Sequence, residues 1–119
     1  MERPRSAGGD DAAGLEVEVA PSGHLVVRVL GPRFGLSQAQ AVGQLADSRF
    51  PGGKPRVILN LAPVEYIDST GVSLFVRLSL QGDVRLCHLT PTAAGILMRM
   101  QILPLLRVHP TEADARSDA

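Results

Sequence analysis

Residues 57–78 read "VILNLAPVEYIDSTGVSLFVRL", and the fold is decided there. The stretch opens on Val57, Ile58, Leu59 and Leu61, a short apolar run of the kind found in strands buried on both faces. It closes into "GVSLFVRLSLQ" (71–81), helical in length and pattern, with Gly82 placed to end the helix. Between strand and helix stand three small polar residues and a glycine, Asp68-Ser69-Thr70-Gly71. A helix that starts directly after a strand exposes the amides of its first turn, where the helix dipole favours negative charge.

Outward from this unit the pattern repeats. On the N-terminal side, "LEVEVA" (15–20) alternates apolar and acidic residues as a half-buried strand does, and "HLVVRVL" (24–30) follows the turn signal Pro21-Ser22-Gly23. The two predict a hairpin-like pair. Gly31-Pro32 ends the second strand, and Ser37 is the expected N-cap of a helix over "QAQAVGQLADSRF" (38–50). On the C-terminal side, "VRLCHL" (84–89) reads as another buried strand. Thr90-Pro91 then opens a helix through "TAAGILMRM" (92–100), and "LLRVH" (105–109) reads as a last strand. Strands alternating with helices of this length predict an α/β domain. The expected architecture is a mainly parallel sheet of four to five strands with an antiparallel edge strand, covered by three to four helices. The domain is expected over residues 15–110. Residues 1–14, rich in Pro, Gly, Ala and charge, read as a disordered tail, and residues 111–119 as a short helix or frayed end.

Composition narrows the function classes. The 119 residues carry 12 basic and 12 acidic side chains, for a net charge of zero, and 3% aromatics with no Trp. Neither a basic footprint nor a base-stacking surface is present, which argues against nucleic acid as a partner. The single cysteine, Cys87, cannot pair within the chain. It sits in a buried strand pattern, and an inert thiol is expected. No apolar run approaches the roughly 20 residues that span a bilayer, and the N-terminus lacks the apolar core of a signal peptide. A cytoplasmic protein without membrane insertion is expected, and neither a cofactor nor a metal.

Two roles are open to the junction. In one, Asp68 or Ser69 merely caps the helix by accepting a hydrogen bond from a free amide. In the other, Ser69 carries a phosphate, which a helix N-terminus accommodates electrostatically. The following helix offers a second clue. At about 100° per residue its apolar residues Val72, Leu74, Phe75, Val76 and Leu78 spread over an arc of about 200°, twice what packing one face requires. Either neighbouring elements cover the surplus or an apolar strip beside Ser69 binds a partner.

The same residues resemble the central signature of the STAS domain, the fold of bacterial anti-sigma factor antagonists. Its pattern is an apolar strand, a short loop with a polar residue, Asp-Ser-Ser/Thr-Gly and an apolar helix. The resemblance extends over about residues 15 to 110, with "TPTAAGILMRMQILPLLRVHPT" (90–111) similar to the family's third helix and last strand. It implies that Ser69 is the phosphoacceptor, that Asp68, Thr70 and Gly71 complete its loop, and that Val72, Leu74, Phe75 and Val76 belong to the docking helix. It implies as partners an anti-sigma factor that is itself a serine kinase, bound while Ser69 is unphosphorylated, and a phosphatase that reverses the modification. Self-association into a homodimer stays open. The alternative within the same fold is a structural subunit of a stressosome-like or lipid-transport complex in which Ser69 is never modified.

One stretch departs from the family pattern. After the second strand the family carries Gly-x-Leu-Asp or a close variant, whereas this chain has "GPRFGLS" (31–37), with Arg33-Phe34 in place of Leu-Asp. Arg33 is either a phosphate partner for Ser69 or a solvated loop arginine. Catalysis finds no support. The aspartic-protease reading of Asp68-Ser69-Thr70-Gly71 lacks a second carboxylate, and Ser69 lacks the Gly-x-Ser-x-Gly setting of a hydrolase nucleophile.

Overall fold

The computed structural model describes residues 14–117. In chain order the elements begin with β1 (Leu15–Val19), β2 (Leu25–Val29), β3 (Arg33–Phe34), α1 (Leu36–Arg49), β4 (Arg56–Asn60) and β5 (Tyr66–Ile67). They continue with α2 (Ser69–Gln81), β6 (Asp83–Cys87), α3 (Pro91–Arg99), a 3₁₀ turn (Leu103–Leu105), β7 (Arg107–His109) and α4 (Glu112–Ser117). The tail expected at residues 1–14 lies, apart from Gly14, outside the described residues.

Five strands form one sheet in the order β1-β2-β4-β6-β7. β1 runs antiparallel to β2, from Leu15 opposite Val29 to Val19 opposite Leu25, and every other pairing is parallel. The expected mainly parallel sheet with an antiparallel edge strand is therefore the one observed. Alternation along each strand divides the sheet into two faces. Leu25, Val27, Val57, Leu59, Val84 and Leu86 point to a front face, where α1, α2 and α3 pack on them through Val42, Ala46, Phe75, Leu78 and Leu97. Val26, Ile58 and Cys87 point to the back face and form a cluster with Ala20, which follows β1, and Ala115 of α4. Burial on both faces is why Leu25–Val27 of β2, Val57–Leu59 of β4 and Leu86–Cys87 of β6 are apolar at consecutive positions.

Two short elements escaped the sequence pattern. β3 and β5 pair in parallel as a separate two-stranded sheet, Arg33 opposite Tyr66 and Phe34 opposite Ile67. Two residues carry no periodicity to detect. The start of α1 is a correction as well, since its N-cap is Gly35 and not the expected Ser37. The Gly35 amide donates to Gln38 Oε1 at 2.9 Å, and its carbonyl accepts from the Ala39 amide at 2.9 Å. A Cβ at Gly35 would lie 2.8 Å from an Asp68 carboxylate oxygen, so a larger residue there would press on the side chain that caps α2. The expected Thr90 cap is present, with Thr90 Oγ1 accepting from the Ala93 amide at 3.0 Å and donating to the Val64 carbonyl at 2.7 Å. α4 occupies the segment read as a short helix or frayed end.

Candidate functional site

The junction at residues 68–71 is built by three elements meeting at the N-terminus of α2. The Asp68 amide donates to the Phe34 carbonyl at 3.2 Å, which ties the junction to β3. Its side chain caps the helix, and Oδ1 accepts from the Thr70 amide at 2.9 Å, from the Gly71 amide at 3.1 Å and from the Thr70 hydroxyl. These donors, the Thr70 hydroxyl first and the Gly71 amide next, hold the Asp68 carboxyl below the usual carboxylate range. A negative charge thus sits permanently at the positive end of the helix dipole.

Gly71 sets how closely α2 approaches its support. A Cβ there would lie 2.7 Å from both the Phe34 carbonyl oxygen and Phe34 Cδ1, and 3.0 Å from Ile67 Cγ2. Phe34 is itself fully buried and meets Phe75 of α2 with ring centroids 5.0 Å apart. The glycine and the two phenylalanines therefore fix the helix start against β3 and β5.

Capping by Asp68 leaves Ser69 without a structural task. Ser69 is the first residue of α2, it is exposed, and its hydroxyl makes no hydrogen bond among the described residues. It opens onto a shallow groove of about 550 Å³ between α1 and α2, which Gln40, Gly43 and Asp47 line from one side and Ser73 and Arg77 from the other. The Arg77 guanidinium lies over Gly43, where a Cβ would come within 3.1 Å of it. Of the two capping candidates, then, the structure uses Asp68.

The remaining site residues are distributed between core and surface. Val72 (7% exposed), Leu74 (5%) and Phe75 (0%) are buried, and Val76 is half-buried. Most of the wide apolar arc is therefore covered by the sheet, α1 and β3. Ser73, Arg77 and Leu80 remain exposed, and the ridge Val72-Val76-Leu80 borders a second shallow hollow on α2. Arg33 is exposed on β3, with its guanidinium carbon 5.0 Å from the centroid of the Tyr66 ring. It is also near enough to help depress the Asp68 carboxyl. Arg33 and the Ser69 junction thus share one end of the molecule.

A model of the STAS domain family matches residues 16–115. The chain belongs to the STAS domain family. Solved structures agree in fold. A STAS-domain anti-sigma-factor antagonist protein from Planctomyces limnophilus is 20% identical, with 86% of this chain and 94% of that chain covered and a TM-score of 0.69. Bacillus SpoIIAA in its phosphorylated form is 20% identical over 85% of this chain and 95% of that chain, with a TM-score of 0.61. A sulfate transporter family protein from Wolinella succinogenes is 20% identical over 83% of this chain and 91% of that chain, with a TM-score of 0.63. No curated protein matches the chain in sequence.

Beyond the junction, this STAS domain holds polar clusters that no motif announced. His24 is buried, with Nδ1 hydrogen-bonded to Ser22 Oγ at 2.8 Å and Nε2 to Asp83 Oδ2 at 3.0 Å. The order Ser, His, Asp resembles a catalytic triad, but its members are already engaged. Ser22 Oγ also accepts from the His24 amide, and Asp83 is shared with Arg85 and Arg107. The cluster fastens the β1–β2 turn to the start of β6. Among the described residues no group of His, Cys, Asp and Glu is arranged to hold a metal ion, and no helix is long and apolar enough to cross a membrane.

Proposed function

We propose that this STAS domain is a regulatory binding module of the anti-sigma factor antagonist type. Unphosphorylated, it binds a serine-kinase anti-sigma factor; phosphorylation of Ser69 ends the interaction, and a phosphatase restores it. The observation that carries this reading is the idle, exposed Ser69 hydroxyl on the first turn of α2, beside a cap that Asp68 forms alone. A serine with no structural task can take a phosphate without loss of the fold, and the helix dipole tolerates the added charge. Support comes also from SpoIIAA, a relative in fold solved in unphosphorylated and phosphorylated forms.

In this reading the docking surface is the outer side of α2. Ser69, Ser73 and Arg77 give its polar part, and Val76, the rim of Val72 and Leu80 its apolar part. Leu74 and Phe75 act from the core by holding the helix in place. Thr70 and Gly71 complete the loop, and Arg33 is a candidate partner for the Ser69 phosphate, which would draw it away from the Tyr66 ring.

A second reading is a constitutive structural subunit, in which Ser69 is never modified. Arg33 in place of the acidic residue of the family pattern favours it, as does the fold shared with a sulfate transporter family protein. The two readings separate in one experiment. Wild-type, Ser69→Ala and Ser69→Glu proteins serve as parallel baits in a host lysate, with captured proteins identified by mass spectrometry. A serine-kinase partner held by the first two and lost by Ser69→Glu supports the switch. The same partners on all three baits would overturn it in favour of constitutive assembly.

A further inference from the structure

The two faces of the sheet are covered by different physics. The front face is sealed by three helices through a continuous apolar core. On the back face Val26, Ile58 and Cys87 are fully buried, yet among the described residues the helix above them is α4, which brings a single buried apolar side chain, Ala115. A helix of 6 residues is too short to persist alone, since isolated helices below about 12–15 residues are marginal in water. Charges hold it instead. The Glu112 carboxylate accepts from Arg28 Nε at 3.0 Å and Nη2 at 2.7 Å, from Asn60 Nδ2 at 3.0 Å and from Arg116 Nε at 3.0 Å. The Glu112 amide donates to His88 Nε2 at 3.0 Å, Arg116 pairs with Glu18 at 3.1 Å, and Arg85 Nη1 donates to the Ala115 carbonyl at 2.7 Å.

We propose that α4 is an electrostatic latch that lifts from the sheet as a unit while the front core stays folded, uncovering the apolar face formed by Val26, Ile58 and Cys87. Nearly every contact that fastens α4 is an ion pair or a hydrogen bond to an ion. The Glu112 side chain is 15% exposed, but its partners Arg28 and Arg116 are each 27% exposed and Glu18 is 45% exposed, so the outer arms of the network lie within reach of screening by salt. The apolar contacts of the front core have no such sensitivity, because excluded salts strengthen burial if they change it at all. Ionic conditions therefore bias the latch and leave the rest of the domain closed. The latch lies on the face away from the helices that form the Ser69 groove and does not depend on the function proposed for that serine.

Cys87 reports the open state. It is the single thiol of the chain, it is fully buried beneath α4, and its Sγ donates to the Leu59 carbonyl at 3.6 Å. Burial pushes the thiol up to about 12, so it reacts only when uncovered. The test is the rate of Cys87 modification by an aromatic disulfide reagent at fixed pH. It is followed in the full-length protein in low and high sodium chloride across a series of urea concentrations below the unfolding transition. A latch predicts a rate that rises about tenfold or more in high salt and varies little with dilute urea, because local opening exposes little surface. Glu112→Gln should raise the low-salt rate by a similar factor and abolish most of the salt effect. The proposal is overturned if the rate follows global unfolding, with the full urea dependence from the lowest concentrations and no acceleration by salt. Should Glu112→Gln fail to fold, the wild-type salt and urea series decides alone.

Discussion

Removing the Asp68 side chain and removing the Ser69 side chain should have very different consequences, although the residues are neighbours on the same turn. Asp68 Oδ1 serves the Thr70 amide, the Gly71 amide and the Thr70 hydroxyl, and it is ionised at the N-terminus of a 13-residue helix. Losing an N-cap costs about 0.5–2 kcal/mol, and losing a negative charge at that end a further 0.3–1 kcal/mol or so. Asp68→Ala should therefore cost about 2 kcal/mol, which for a domain of this size lowers Tm by roughly 10 °C. Asp68→Asn keeps a capping oxygen and should recover more than half of the loss. Ser69 is exposed and spends its hydroxyl on no neighbour. Ser69→Ala should stay within about 0.5 kcal/mol of wild type, helped slightly by the helix propensity of alanine. Ser69→Glu should do the same, since attraction to the helix end offsets repulsion from Asp68. Urea unfolding followed by far-UV circular dichroism measures all four variants, and equal slopes would show that the denatured states are comparable. If Ser69→Ala lost as much stability as Asp68→Ala, Ser69 would be a structural residue and the division of labour at the junction would be refuted.

Gly71→Ala ought to destabilise by about 1–3 kcal/mol in the same assay, because the new methyl would meet the Phe34 carbonyl oxygen and ring at 2.7 Å, a crowding that outweighs the gain of roughly 1 kcal/mol in helix propensity. Acid should weaken the domain in part through Glu112, whose carboxyl is held at about 2 chiefly by Arg28, against 4.5 for an unperturbed glutamate. A depressed carboxylate stabilises fully above its unfolded pKa and loses that contribution as pH falls from about 4.5 towards 2. The urea midpoint of wild type should accordingly fall more steeply over that window than that of Glu112→Gln; parallel curves would show that Glu112 is not responsible.

Much of the chain could be read without coordinates, for reasons that are local. The strand at Val57–Leu59 is apolar at every position because both faces of the sheet are covered, and no polar alternation survives such burial. Thr90-Pro91 announces a helix start because its cap and its fixed φ act within one turn of chain. The strand-to-helix step at residues 67–69 is legible for the same reason.

What eluded the sequence depends on groups far apart in the chain. The residue that caps α1, Gly35, has a tertiary constraint that no local pattern shows, since an oxygen of Asp68, 33 positions later, comes within 2.8 Å of where a Cβ would stand. The clamp on α4 joins Arg28 to Glu112 across 84 positions, and nothing near either residue signals it. The sequence by itself determined the order of the five strands of the main sheet and of the helices between them, and the polar junction that opens α2, because periodicity and capping are written within a few residues. Only the tertiary structure decided that Asp68 takes the cap and leaves Ser69 free, that Leu74 and Phe75 turn inward, and that the back face is closed by charge. Each of these depends on which atoms compete for the same space or the same hydrogen bond once the chain has closed on itself.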